Sequence, residues 1–86
     1  MKEFVENMVK YLVDKPDEIK INEIAGERTV VLELRVGDGD MGKVIGRHGQ
    51  TAGSLRTLLS AAAARQGKRY ILEILEDDKE KPSGTE

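Results

Sequence analysis

Residues 42–53 of this chain read GKVIGRHGQTAG, placing four glycines, a Lys, an Arg and the only His within one short stretch. Glycine loses more conformational freedom on folding than any other residue, so such density implies a need of the backbone. The chemistry these residues can do is phosphate recognition. Gly46 and Gly49 bracket a turn with no Cβ to keep a ligand off the backbone N–H groups. A helix starting just after them aims its partial positive charge at the same spot. Arg47 and His48 between the glycines, Lys43 before them, and Gln50 and Thr51 after them supply charge and donors. Together they describe a clamp for a sugar–phosphate backbone. A tight turn between helices would by itself account for Gly46 and Gly49. It would not account for Arg and His at the tip.

Other chemistries fit less well. GDGDMG at 37–42 matches G-x-G-x-x-G, and with Lys43 it matches the start of a Walker A loop. Yet Val44 stands where a magnesium-binding hydroxyl belongs, and Asp38 and Asp40 would repel phosphates. The following helix is interrupted at once by Gly46, and the chain is short for a mononucleotide-binding scaffold. A calcium loop lacks its acidic twelfth position. A solvated loop in which Asp40 caps the next helix explains the stretch better. His48 has no Ser, Cys or carboxylate beside it in sequence to orient it, so the chain is not expected to be an enzyme. No metal site and no cofactor are expected.

Charge supports the clamp. Net charge is −2, but no Asp or Glu occurs between Asp40 and Glu73. That interval carries Lys43, Arg47, Arg56, Arg65, Lys68 and Arg69, while the other eight cations face all sixteen acids. The split implies a positive face on an acidic protein. The 86 residues, 38% of them hydrophobic and 35% charged, suffice for one small domain. There is no cysteine, hence no disulfide framework. MKEFVENMVK resembles neither a signal peptide nor a membrane span, so a cytoplasmic location is expected.

The elements that position the clamp follow from periodicity. Phe4, Met8 and Tyr11, and likewise Val5, Val9 and Leu12, recur at helical spacing and predict a helix over 2–14 with one broad core face. Pro16 ends it. Ile19 and Ile21 predict a short strand over 18–24, and residues 25–27 a turn. RTVVLELRV alternates, with Val30, Leu32, Leu34 and Val36 toward the core, and completes an antiparallel hairpin. A brief helix over 41–45 precedes the glycines. A longer one covers roughly 50–65, with Ala52, Leu55, Leu59 and Ala62 on one stripe and Gly67 ending it. Tyr70, Leu72 and Ile74 alternate in a last strand over 69–75. The tail 77–86 has no apolar residue and is expected to be disordered. The order α-β-β-α-α-β, with a two-helix crossover between parallel neighbours, predicts an α+β fold: a three-stranded mixed sheet with three helices on one face.

VIGRHGQTA at 44–52 resembles the VIGxxGxxI signature of the KH domain, whose GXXG loop grips about four nucleotides of a single strand. The resemblance extends over roughly residues 1–76, and the element order is similar to the type II, prokaryotic arrangement. The size and the run GKVIGRHGQTAGSLRTLLSAAA resemble the KhpA family of small bacterial KH proteins. Two positions depart from the pattern. Gly53 stands where that family commonly has a longer, often basic, side chain, and Ala52 where the wider signature has Ile.

The resemblance implies single-stranded RNA binding by Lys43, Ile45, Gly46, Arg47, His48, Gly49, Gln50, Thr51 and Arg56, and a role as RNA chaperone or post-transcriptional regulator. Bases would turn into a groove walled from among Val44, Ile45, Ala52, Leu55 and Ile71. The three aromatics, Phe4, Tyr11 and Tyr70, lie far from the loop in sequence, so base stacking contributes little. The resemblance further implies a homodimer, here built on Leu58 and the run Ala61–Ala64, and pairing with a larger KH-containing protein. The competing expectation is a protein-interaction and dimerisation module that does not touch RNA.

Overall fold

The computed structural model describes residues 1–75; the tail expected over 77–86 lies outside the described residues. Helix α1 spans Lys2–Val9, strand β1 Lys20–Ala25, strand β2 Thr29–Arg35, helix α2 Met41–Ile45, helix α3 Gln50–Ala64 and strand β3 Arg69–Ile74. Single 3-10 turns occupy Pro16–Glu18 and Arg47–Gly49. The fold is α+β, with the expected mixed sheet: β2 lies in the middle, antiparallel to β1 and parallel to β3.

The alternation in β2 puts Val30, Leu32 and Leu34 wholly inside, and the register sets them beside Tyr70, Leu72 and Ile74 of β3. Val5 and Val9 of α1, Val44 of α2, and Leu55 and Leu59 of α3 close over them as one apolar core. The opposite sheet face carries Ile24, Val31, Glu33, Arg35, Ile71 and Glu73.

Three expectations need correction. The first helix stops at Val9 rather than 14. Beyond it the chain tightens into i→i+3 bonds, from Tyr11 N–H to Met8 and from Leu12 N–H to Val9. A tighter turn rotates the following side chains off the helical stripe. Tyr11 is left 82% exposed, and Val13 enters the core in its place. On α3 the buried stripe is Ala52, Leu55, Leu59 and Ala63, not Ala62. Asp40 directly precedes α2 but does not cap it with its side chain, nor is it solvated, being 1% exposed.

The buried Asp40 carboxylate accepts the backbone N–H groups of Asp14 (3.2 Å) and Lys15 (3.0 Å) instead. It therefore fastens the segment after α1 to the start of α2. A carboxylate is buried only where hydrogen bonds and a cation replace water. Lys43 Nζ supplies the cation, 3.9 Å from Asp40 Oδ1 and 3.4 Å from Asp14 Oδ2. The position of the short α2, and with it the loop that follows, rests on this fastening.

Candidate nucleic-acid interface

α2 ends where Gly46 N–H reaches back to Gly42 C=O at 2.8 Å. Gly46 itself turns to φ 77°, ψ 172°, a region open essentially to glycine alone. There is no room for a side chain either. A Cβ at Gly46 would run into the side chain of Thr51, 2.6 Å from its Cβ, and stand 2.9 Å from the Thr51 backbone nitrogen. The clash shows how closely the start of α3 folds back on the end of α2.

Two left-handed residues follow, His48 (φ 58°) and Gly49 (φ 74°). His is among the few side chains enriched in that region. Gly49 N–H closes the turn on Gly46 C=O at 3.1 Å. A Cβ at Gly49 would meet nothing within 4 Å, so glycine is needed there for the backbone angle. The turn holds the Arg47 and His48 side chains in solvent and hands the chain to α3, whose N-terminus has no side-chain cap. A guanidinium and an imidazole donor at the tip, beside a helix N-terminus without a side-chain cap, are complementary to an anion approaching from outside.

The expected site residues separate into three groups. Gly46, Arg47, His48, Gly49 and Gln50 form the exposed turn and its continuation, with Thr51 tucked beside Gly46 and Ile45 half-buried in front of it. Lys43 faces Asp14 and Asp40, so its charge is already engaged. Arg56 lies two turns into α3, and its Nε donates to the Leu72 carbonyl of β3 at 3.1 Å. Of the expected groove walls, Val44, Ala52 and Leu55 belong to the core, while Ile71 is 38% exposed. Periodicity along one helix distinguishes its faces; it does not say which face meets the sheet and which meets a groove.

The groove beside α3 joins the expected Arg56 and Ile71 to lining residues that the sequence reading missed, Ser60, Arg69, Tyr70 and Leu72, around a cavity of about 220 Å³ at the edge strand β3. The signal available for Arg69 was its place at the head of an alternating strand in the acid-free interval. On its outer side α3 is lined by Gln50, Gly53, Ser54, Thr57 and Leu58 around a shallow depression of about 710 Å³, with Leu58 52% exposed. No described helix is long and apolar enough to cross a membrane.

Residues 2–74 match the family model described as KhpA/KhpB, KH domain. Similar relatives include the RNA-binding protein KhpA of Borreliella burgdorferi, 54% identical over 86% of this chain and 90% of the relative. The protein of that name from Aquifex aeolicus is 51% identical over 88% and 96% of the two chains. That from Clostridium perfringens is 48% identical over 87% of this chain and all of the relative. No solved structure matches the chain.

Proposed function

The chain belongs to the KhpA/KhpB family of KH domains, and from that premise we propose that it binds single-stranded RNA through the turn Gly46–Gly49. The observation that carries this reading is the turn itself. It is forced into glycine-only and left-handed angles by the fold-back of α3, and it presents Arg47 and His48 to solvent beside an uncapped helix N-terminus. Phosphates lie over the turn, Gln50 adds a donor, and bases lean past Ile45 toward the strip between α3 and β3 that Arg56 and Ile71 line. Thr51 supports Gly46 from behind. Few contacts, and a single aromatic in the strip, Tyr70, that packs against the core, make binding to short RNA weak and tolerant of sequence, as suits an RNA chaperone or post-transcriptional regulator working in the cytoplasm.

The test is a gel-shift titration with unstructured RNA. Replacing Arg47 and His48 together by Asp removes binding, each substitution costing on the order of 1–3 kcal/mol, in a protein that stays folded. Unchanged affinity in the folded double variant ends the clamp reading. The log–log dependence of affinity on salt has a slope of about −2 to −3, roughly 0.7 for each phosphate contact on a single strand. A flat response favours an interaction module without RNA.

A second element of the reading is self-association. Leu58 and the outward alanines Ala61 and Ala64 leave a small-residue surface on α3 away from the core. Packing two copies across it would put two weak clamps in one particle and raise affinity through effective concentration. A larger KH-containing protein offering a similar helix is the heterologous partner. Sedimentation checks this: the wild type is a dimer at high micromolar concentration, and Leu58→Glu or Ala61→Glu gives a folded monomer with weaker RNA binding.

A further inference from the structure

The helices cover one face of the sheet, and the open face sets its side chains in rows across the strands. Lys20 of β1 stands directly opposite Arg35 of β2. Leu75 N–H donates to the Leu34 carbonyl at 2.8 Å, which carries the β2–β3 register one step further and sets Leu75 beside Arg35. Like charges directly opposite on paired strands repel. Lys20 and Arg35 are both exposed, and neither is in an ion pair among the described residues. Glu33 lies in the next row, but its Oε1 accepts a hydrogen bond from Asn22 Nδ2 at 3.2 Å. Asp17 and Glu18 share a neighbouring depression with the two cations, but so does Lys15.

A depression of about 220 Å³ lies at this row, lined by Lys20, Ile21, Asn22, Glu33, Arg35 and Leu75. Leu75, on its wall, is followed in the sequence by Glu76, Asp77 and Asp78. These three lie beyond the residues 2–74 that match the family, so membership of the family does not account for them. Paired strands lie about 4.8 Å apart. Three extended residues span about 10 Å, so carboxylates leaving Leu75 reach Arg35 on the next strand and Lys20 on the one beyond. A run of acids in a polar segment is ordinarily solvated and needs no partner. What singles this one out is that it begins on the wall of the depression that holds two opposed cations.

We propose that Glu76, Asp77 and Asp78 turn back over the open face of the sheet and pair with Lys20 and Arg35, standing in for phosphate there and keeping RNA off that face. The docking is independent of the glycine turn; only its consequence rests on the reading that this protein binds RNA. Each ion pair is exposed, hence weak and screened by salt. The tether offsets that weakness, because it holds the carboxylates at an effective concentration on the order of millimolar. A free strand at lower concentration does not displace them, and its phosphates are repelled by the acids themselves. RNA is thereby confined to the helical side of the molecule, where Arg47 and His48 stand.

Two sets of substitutions test this at low salt. One is Glu76→Gln with Asp77→Asn and Asp78→Asn, which removes charge and keeps size; the other is Lys20→Gln with Arg35→Gln. In proton–nitrogen NMR spectra the triple variant shifts the Lys20 backbone amide and the Arg35 Nε–H signal. Wild type at about 0.5 M salt moves both the same way, and the triple variant has lost that salt response. Lys20 is decisive, being two strands away from Leu75 and so reached only through space. Affinity for an oligouridylate of about nine nucleotides rises about three-fold in the triple variant, the scale of one or two exposed ion pairs. It does not rise when Lys20→Gln and Arg35→Gln are also present. Lys20 and Arg35 signals that stay in place in the triple variant overturn the docking. No gain in affinity, or an equal gain with and without the two cations, overturns the shielding of this face, since net charge alone would then set the affinity. A wild type that binds no RNA overturns the functional reading instead, and the NMR arm still decides the docking.

Discussion

Two glycine-rich loops flank the five-residue helix α2, GDGD at 37–40 and GRHG at 46–49, and they are used in opposite ways. In the first, Asp40 turns inward, is buried, and takes two backbone N–H groups from the segment that follows α1. In the second, the Arg47 and His48 side chains turn outward and take none of the side-chain hydrogen bonds found among the described residues. One loop spends its polar groups on holding the fold, and the other leaves them for a ligand. Glycine content alone does not separate the two. What separates them is whether a neighbouring segment already satisfies the polar side chains.

The largest expected effect tests the inward loop. Asp40→Ala strands two backbone donors and leaves Lys43 without its buried partner. The expected cost is about 2–6 kcal/mol, from roughly 1–3 for each of the two unsatisfied groups, read as a lower urea midpoint. A loss under about 1 kcal/mol would show that this carboxylate does not fasten the loop.

The next effect concerns the outward loop. Gly46→Ala meets both the forbidden angle and the Thr51 side chain, and costs roughly 2–3 kcal/mol. Gly49→Ala meets only the angle, about 1–2 kcal/mol. Thermal melts of the two variants decide the order. The reverse ranking would mean that Thr51 moves aside at little cost and that α3 is not held tightly against Gly46.

The smallest effect separates Lys43 from its neighbours on the tip. Lys43→Ala costs about 1 kcal/mol, because its pair with the largely exposed Asp14 is screened and the buried Asp40 keeps both backbone N–H groups when the cation 3.9 Å away is lost. It changes RNA affinity by less than about two-fold, whereas Arg47→Ala weakens it several-fold at the same salt. Equal losses for the two would mean that Lys43 leaves Asp40 when RNA binds, joining the two loops into one device.

The sequence by itself determined the sheet and the turn. Alternation in RTVVLELRV and RYILEIL reports a strand with one buried face, since side chains on a strand alternate with period two whatever surrounds it. The pair Gly46 and Gly49 reports positive φ just as locally, because the angular cost of a Cβ falls on the residue's own backbone. Only the tertiary structure decided what depends on distant partners. Asp40 is a helix cap by sequence and a buried anchor in the fold, because the N–H groups it accepts come from positions 25 and 26 residues earlier. Tyr11 leaves the core stripe because the turn after Val9 tightens. Lys43 and Arg56 read alike as basic residues near the turn, yet one is drawn to Asp14 and the other to the Leu72 carbonyl. The physical reason is range: backbone angles and periodicity are set over a few residues, whereas burial, ion pairing and the sharing of one cavity by Arg56 and Arg69 are set by segments that meet only when the chain has folded.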